Sequence, residues 1–153
     1  MEIAFAPASL DDIPDLIAVQ DLAFAEDMAR YIECPSYGES PQAMARMIGE
    51  AIVYKILLDG RMVGDIIVRR REAGCYYLRT LSVIPELQGQ GIGSAAVAFL
   101  EAEFPDATRW QLTTPEGTAR NRHFYEKLGY REVGRVPRSK VLTLIEYDKV
   151  IRE

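Results

Sequence analysis

The chain has 153 residues, 48% of them apolar and 27% charged, which is typical of a globular domain large enough to bury its own core. The formal net charge of −5 argues against a general nucleic-acid or anionic-membrane binder. One His and two widely spaced Cys argue against a zinc site and a disulfide framework, so we expect no metal and a reducing, cytoplasmic setting. We expect no membrane partner, because no leader-like start or membrane-length apolar run is seen.

The first part of the sequence predicts a strand and two helices. Ile3–Pro7 is a short apolar strand, and Ser9 then offers an N-cap oxygen before apolar residues recur at helical spacing as far as Phe24. This pattern fails between Ala25 and Ser40, where turn-forming residues predict a loop. Ser40-Pro41 has the form of an N-cap followed by proline, so we expect a second helix whose methionine-rich stripe lies in the core.

Three strands joined by short turns follow, which predicts an antiparallel meander. The strands Val53–Leu58 and Met62–Val68 flank the hairpin turn Asp59-Gly60. A further turn, ending at Gly74, leads into the strand Cys75–Val83.

The second half predicts a β-α-β unit, a helix and a hairpin. A one-sided apolar helix begins at Ile92, and the strand Arg109–Thr114 follows it. A helix near Ala119–Leu128 ends at Gly129 in the C′ position. Two last strands enclose a turn at Pro137-Arg138, at about Tyr130–Val136 and Lys140–Val150. The prediction is one α+β domain with a mixed sheet.

The segment between the meander and the next helix carries the strongest functional signal. It reads Val83-Ile84-Pro85-Glu86-Leu87-Gln88-Gly89-Gln90-Gly91-Ile92-Gly93-Ser94. Glycine lets backbone N–H groups approach a ligand, and a helix N-terminus adds unpaired donors and partial positive charge, which together suit a phosphate. Because no Lys or Arg occurs from Thr80 to Thr108, main-chain donors would do most of the local binding.

Three other interpretations of this glycine-rich segment are a tight turn, a P-loop and a dinucleotide-binding loop. The glycines could serve only a tight strand-to-helix turn. A P-loop is excluded, because no Gly-Lys-Ser/Thr sequence follows to reach phosphate and magnesium. A nucleotide-binding oxidoreductase is disfavoured, because residues intervene between the strand end and the first glycine and repeated β-α-β units are missing.

The Gln88-x-x-Gly91-x-Gly93 pattern resembles the pyrophosphate loop of the GNAT superfamily of acyl-CoA-dependent N-acyltransferases. The segment Asn121–Tyr130, with its Tyr-Glu-Lys-Leu-Gly-aromatic ending, resembles the fourth helix of that family. The order of elements also follows the family, so the resemblance covers essentially the whole chain. It implies a mostly antiparallel sheet with a central splayed parallel strand pair, flanked by about four helices.

The resemblance also implies acetyl-CoA as cosubstrate and the residues that hold it. Backbone groups of Leu81, Ser82 and Val83 would pair with the pantetheine arm, and the Val83 N–H could serve as oxyanion donor. Asn121 would hydrogen-bond the pantetheine or help orient the acceptor. Tyr125 would donate a proton to the thioester sulfur, its alternative role being a core aromatic. The pyrophosphate would be held by N–H groups of Gln88, Gly89, Gln90, Gly91, Ile92, Gly93 and Ser94.

The sequence leaves the general base and the acceptor open. The splayed strand carries no carboxylate, so the candidates are Glu33, Glu39, Glu116 or water, while His123 is expected to face solvent. The acceptor would lie against Ala25–Ser40, whose acidic and aromatic residues either suit a cationic small amine or form only a solvated loop.

The expected activity is transfer of the acetyl group of acetyl-CoA to a primary amine, by direct attack in a ternary complex. A small-molecule acceptor is favoured over a protein. The alternative is a non-catalytic acyl-CoA-binding or sensory module of the same fold, because the usual strand carboxylate is missing. A homodimer stays open, since dimers are common in the family but no surface stripe here argues for one.

Overall fold

The computed structural model describes residues 2–151, which form a seven-stranded sheet with helices on both faces. The helices are α1 (Ile13–Tyr31), α2 (Pro41–Glu50), α3 (Ile92–Glu103) and α4 (Ala119–Lys127). The strands are β1 (Ile3–Pro7), β2 (Ile52–Leu58), β3 (Arg61–Arg70), β4 (Cys75–Val83), β5 (Arg109–Pro115), β6 (Arg131–Pro137) and β7 (Thr143–Val150). The sheet order is β1-β2-β3-β4-β5-β7-β6, with β4 and β5 parallel and the other neighbours antiparallel. The predicted mixed α+β sheet is confirmed.

Apolar residues on both faces of the strands hold the helices in place. On one face, Val53 and Ile67 pack against α1 and α2 in a cluster that contains Met44 and Met47, as the methionine stripe predicts. The other face carries a larger core over α3 and the aromatic residues of the central strands, including Tyr76, Phe104, Trp110 and Tyr147. Because side chains of a strand alternate between faces, this two-sided burial fixes β4 and β5 at the centre of the molecule.

The central parallel pair is short, and its two strands diverge. Only three residues of each strand pair, Cys75–Tyr77 of β4 with Arg109–Gln111 of β5. Beyond them β5 pairs with β7 but no longer with β4. Between β3 and β4 the register shifts, with Thr80 opposite Ile67 but Leu78 opposite Val68, so that Arg79 is an extra residue. Such a bulge bends its strand and increases the local twist. A gap therefore opens between β4 and β5 toward their C-terminal ends.

Local sequence signals are confirmed at several element ends. The Ser40 hydroxyl accepts the Ala43 N–H at 3.1 Å and caps α2. Asp59 and Gly60 both have positive φ, at 50° and 85°, as the tight hairpin turn requires. Gly129 follows α4 with φ of 98°, the left-handed conformation of a C′ residue.

Two predicted boundaries are wrong. The spacing predicts that α1 ends near Phe24, but the helix continues to Tyr31. The last turns of α1 face a cleft with polar walls. The apolar periodicity is therefore lost in these turns, although the backbone stays helical. The last strand starts at Thr143 rather than Lys140, because the N–H groups of Arg138 and Ser139 donate to the Leu142 carbonyl and extend the turn.

None of the helices within residues 2–151 combines the length and the apolar character needed to cross a bilayer.

Candidate active site

A cleft passes through the sheet where β4 and β5 diverge. On the side of α3 and α4 it forms a cavity of about 410 Å³, here called the loop chamber. On the side of α1 it forms a cavity of about 510 Å³, here called the arginine chamber after the arginines that line it. Leu81, Asn121 and Tyr125 line both chambers, so the two cavities meet at these three residues.

The glycine loop forms one wall of the loop chamber. Gly89 and Gly91 have φ of 77° and 86°, and Gly91 is the N-cap of α3. Glycine is required there by the backbone conformation rather than by space, because a Cβ at either position would meet no atom within 4 Å. At Gly93, by contrast, space is the reason for glycine, because a Cβ there would lie 3.0 Å from the ring of Phe124 on α4. The start of α3 is thus held against α4, with its free N–H groups at the chamber wall.

The loop chamber is lined by most of the residues predicted to bind pyrophosphate and by two basic side chains that the sequence does not predict there. Its walls include Gln88, Gly89, Gly91, Gly93 and Ser94. Gln90 is exposed with its amide near the Glu86 carbonyl, and the Ile92 side chain is buried in the core, so neither lines the chamber. Arg120 and Lys127 line it from α4. The stretch without Lys or Arg therefore does not leave the chamber uncharged, and main-chain donors are supplemented by two side chains from elsewhere.

The inner edge of β4 presents backbone groups to the gap. The Ile84 N–H donates to the Val63 carbonyl at 2.9 Å, on the β3 side. Because hydrogen-bonding direction alternates along an antiparallel strand, the N–H and C=O groups of Val83 and Leu81 point away from β3 and into the gap. Ser82 points its backbone groups toward β3. Of the three predicted pantetheine contacts, the backbones of Leu81 and Val83 fit the expectation and that of Ser82 does not.

A buried carboxylate ties β3, β4 and α1 together behind this edge. Asp65 is fully buried and accepts hydrogen bonds from Ser82 Oγ at 2.5 Å and from Gln20 Nε2 at 2.6 Å. Burial raises the pKa of Asp65 to about 7 from its ordinary value of 3.8. The side chain of Ser82 is therefore engaged in holding the strands and the helix that border both chambers.

Tyr125 belongs to the edge of the core and to the wall of the cleft. Its ring packs edge-on against Tyr130 at 5.5 Å between centroids and against Phe124 at 4.9 Å. Burial raises the pKa of Tyr125 above its usual range, so the phenol carries its proton at neutral pH. Asn121, one helical turn earlier, makes a long hydrogen bond of 3.4 Å to Thr114 Oγ1. Both side chains thus stand where the chambers meet.

The charge of the arginine chamber differs from the expectation. From the segment Ala25–Ser40, the acidic residues Asp27 and Glu33 and the aromatic Tyr31 do line it. Most of the charged lining is basic, however, and consists of Arg69, Arg70, Arg71, Arg79 and Arg138. The acidic and aromatic residues of Ala25–Ser40 thus form only part of the lining, because β3, β4 and the turn after β6 bring in basic residues far away in the sequence.

The family described as Acetyltransferase (GNAT) matches residues 18–130, which is most of the chain and includes the glycine loop and all of α4. The chain belongs to the GNAT acetyltransferase family. This membership supports acetyl transfer as the general activity.

Solved GNAT structures share this fold over nearly their whole length. PaiA N-acetyltransferase from Thermoplasma acidophilum, in complex with coenzyme A, has a TM-score of 0.79 at 19% identity, covering 98% of this chain and 99% of that chain. A GNAT acetyltransferase from Elizabethkingia anophelis with acetyl-CoA bound has a TM-score of 0.70 at 11% identity, covering 97% and 98%. The uncharacterized protein YrkN from Bacillus subtilis (strain 168) is 40% identical over 85 residues, 54% of this chain and 46% of that protein. The match thus spans about half the length of this curated relative.

The three carboxylates predicted as candidate bases in this GNAT chain are all paired. Glu33 lines the arginine chamber, but its Oε1 accepts from Arg138 Nε at 3.0 Å and Nη2 at 2.8 Å. Glu39 pairs with Arg79 at 3.3 Å and does not line the chamber. Glu116 is held by Arg135. His123 is exposed, as the helical spacing predicts.

Asp27 is a carboxylate at the cleft that the sequence does not single out. It lines the arginine chamber and also a smaller cavity of about 220 Å³ that borders Leu81 and Asn121. Burial raises the pKa of Asp27 above its usual range. Within residues 2–151, no other side chain is within hydrogen-bond or ion-pair distance of its carboxylate. Phe24, Asp27 and Tyr31 are spaced three and four residues apart, which places them on one face of a helix. A predicted helix that reached Tyr31 would therefore have identified Asp27 as a residue of the cleft.

Proposed function

We propose that this chain is a single N-acetyltransferase domain that moves the acetyl group of acetyl-CoA to the primary amine of a small molecule. The observation that carries the proposal is the cleft through the sheet, which has a helix N-terminus and glycine loop on one side and an open chamber on the other. A cosubstrate and an acceptor can enter it from opposite sides and meet at Leu81, Asn121 and Tyr125. A cytoplasmic location and a homodimer stay predictions.

The cosubstrate would occupy the loop chamber. N–H groups of the glycine loop and the first turn of α3 suit a pyrophosphate, and Arg120 and Lys127 add positive charge to the same walls. The backbone groups of Leu81 and Val83 would pair with the amides of the pantetheine arm as an additional strand pairs with a sheet edge. These contacts direct the thioester toward the junction of the chambers.

The reaction needs few side chains. The acceptor nitrogen forms a bond to the thioester carbonyl carbon. The Leu81 N–H, which points into the gap where the chambers meet, would stabilise the negative charge on the carbonyl oxygen, because Val83, the donor expected from the sequence, does not line the arginine chamber. When the carbon–sulfur bond breaks, Tyr125 donates its phenolic proton to the leaving sulfur, for which its raised pKa keeps it protonated. The products are an N-acetyl amide and free CoA, and Tyr125 regains its proton from solvent.

Asp27 is the proposed acceptor of the amine proton. It is the carboxylate of the cleft that no arginine holds within ion-pair distance, and its raised pKa makes it a better proton acceptor than an exposed aspartate. An uncharged amine is the nucleophile, so the proton that the ammonium form loses must have a destination within the cleft or in its water.

The test is the release of CoA thiol from acetyl-CoA in the presence of neutral, anionic and cationic primary amines, with the product mass confirmed. An N-acetyltransferase gives amine-dependent thiol release and an amide heavier than the amine by one acetyl group. A non-catalytic acyl-CoA-binding module instead gives CoA-dependent thermal stabilisation without thiol release on any amine. Stabilisation by NAD(P) but not by CoA would contradict both.

A further inference from the structure

We propose that the acceptor is an anionic primary amine, whose carboxylate or phosphate binds Arg71 and Arg69 while its amine lies near Asp27. The inference names the acceptor class for the cleft described above and therefore rests on the proposed acetyl transfer. It depends on which charges of the arginine chamber are already compensated, and on where the uncompensated ones lie.

Three of the arginines that line the chamber are already engaged. Arg79 pairs with Glu39 at 3.3 Å, and Arg138 pairs with Glu33 at 2.8 Å. The guanidinium of Arg70 lies 5.2 Å from the centroid of the Tyr76 ring, in the core on the other face of the sheet. Arg79 and Arg138 therefore have little uncompensated charge to offer a ligand, and Arg70 directs its guanidinium away from the chamber.

Arg71 and Arg69 have no carboxylate within salt-bridge distance among residues 2–151. Arg69 Nη2 lies 3.3 Å from the Met47 sulfur, which is a weak hydrogen-bond acceptor. Both residues therefore line the cavity without an acidic partner to compensate their charge. An anionic ligand would supply the missing partner.

The guanidinium of Arg71 is oriented by its neighbours. Its central carbon lies 4.1 Å from the centroid of the Tyr77 ring, and Nη1 donates to Gln111 Oε1 at 2.8 Å. The Tyr77 hydroxyl in turn shares a hydrogen bond of 3.1 Å with Thr113. The remaining donors on Nε and Nη2 stay uncommitted, and guanidinium donors in this planar arrangement match both oxygens of a carboxylate.

The position of these residues gives the approximate length of the acceptor. Tyr77 and Gln111 form the last rung of the β4–β5 pairing, so Arg71 lies at the closed end of the gap. Leu81, where the chambers meet, is four strand residues farther on, roughly 10 Å away after allowing for the bulge. A chain of about six carbons between the amine and the anion would span this distance.

The experiment compares three amines of equal length that differ in the charge of the remote group. Initial rates are measured with 6-aminohexanoate, 6-aminohexanamide and 1,6-diaminohexane, and 6-aminohexyl phosphate distinguishes phosphate from carboxylate. We expect kcat/KM for the carboxylate or the phosphate to exceed that for the amide by roughly tenfold or more, because a hydrogen bond to a charged group contributes at least about that factor. The diamine should be the poorest acceptor.

Variants connect this preference to Arg71. Arg71→Gln should lower the carboxylate-to-amide ratio of kcat/KM roughly tenfold, and Arg71→Lys should give an intermediate ratio because it keeps the charge but loses the planar pair of donors. Arg46→Gln is the matched control, since Arg46 is exposed on α2 and lies outside the chamber. Its ratio should equal that of the unmodified protein.

A preference for the neutral or cationic amine, or an unchanged ratio in Arg71→Gln, would overturn the inference and leave acetyl transfer intact. If no amine is acetylated, binding of product analogues to the CoA-saturated protein decides. N-acetyl-6-aminohexanoate should then raise Tm while its amide does not, which would support the anion site and contradict only the proposed activity. Equal effects of the two analogues would overturn the anion site.

Discussion

The two chambers of the cleft are built in different ways. The loop chamber takes most of its walls from two short stretches, the glycine loop with the start of α3 and the helix α4. The arginine chamber takes its walls from the end of α1, the loop that follows it, β3, β4, β5 and the turn between β6 and β7. The first is a local device that a sequence pattern can contain, whereas the second exists only when distant segments come together.

The chemistry of the chambers follows from this difference. A ligand common to a whole family can be held by backbone N–H groups and a helix N-terminus, which depend little on side-chain identity. A ligand particular to one protein needs side chains placed by several elements, as Arg71, Tyr77 and Gln111 are here. We infer that the loop chamber carries the shared cosubstrate and the arginine chamber the specific acceptor. The predictions below test that division.

The largest effect is expected from a charge placed in the loop chamber. Gly91→Asp puts a side chain at φ of 86° and a carboxylate at the N-terminus of α3, so the Kd for CoA should rise roughly 100-fold or more. Gly60→Asp is the control, because Gly60 has nearly the same φ of 85° but lies in the β2–β3 turn. Calorimetric titration with CoA measures the difference, and full CoA affinity in a folded Gly91→Asp protein would contradict the phosphate assignment.

A smaller effect is expected at the junction of the chambers. Tyr125→Phe should lower kcat roughly 100-fold while changing CoA affinity little, because it removes a proton donor and keeps the ring packing. Tyr130→Phe removes a hydroxyl from the same aromatic cluster without touching either chamber, and should keep kcat near its original value. Steady-state kinetics with a CoA titration separates the two steps, and equal kcat values for the two variants would remove Tyr125 from the acid role.

Asp27 tests the chemical role of the arginine chamber. Asp27→Asn should lower kcat/KM roughly 100-fold, which is the lower end of the range for general-base catalysis by one side chain. Because burial raises the pKa of Asp27, the unmodified enzyme should lose activity on acidification at a pH above the usual aspartate range, as the base becomes protonated. This acidic limb should disappear in Asp27→Asn.

Asp15→Asn is the control for that prediction, since Asp15 is exposed on the same helix and lies outside the cleft. Its pH profile should match that of the unmodified protein. An acidic limb that persists in Asp27→Asn would assign the proton to water or to another group.

The last prediction concerns stability and the buried Asp65 behind the cleft. The pKa of Asp65 is raised to about 7 in the folded protein from 3.8, so the folded state favours the protonated form. The stabilisation is fully present below pH 3.8 and is lost as the pH rises through 7. Between pH 5 and 8 the free energy of unfolding should fall by at most about 1.4 kcal/mol per pH unit.

Denaturant titrations at several pH values measure this slope. Asp65→Asn removes the titrating group and should flatten the profile. The asparagine oxygen can still accept from Ser82 Oγ, and its NH2 can donate to Gln20 Oε1 once the Gln20 amide turns over. Stability that stays constant or rises from pH 5 to 8 in the unmodified protein would contradict the raised pKa of Asp65.

How far the sequence predicts the site depends on how local each part is. The meander, the glycine loop, α3, and α4 with its C-terminal glycine could all be located, because each follows from periodicity, turn residues or capping within a few positions. The family resemblance implies that the Ser82 backbone pairs with the pantetheine arm, but the alternation set by the pairing of β4 with β3 turns it toward β3. The candidate bases Glu33, Glu39 and Glu116 were plausible from the sequence, yet each pairs with an arginine from another segment.

By itself, the sequence determined that this is a mixed α+β domain of low His and Cys content, with a glycine-rich loop before α3 whose backbone suits a phosphate. The acidic net charge does not conflict with that loop, because N–H groups at a helix start act at short range whatever the total charge. Only the tertiary structure decided that the arginine chamber is mainly basic, that Arg120 and Lys127 reach the loop chamber, and that Asp27 lines the arginine chamber without a paired side chain among residues 2–151. These features depend on the bulge at Arg79 and on strand pairings between residues far apart in the chain, which no local pattern encodes.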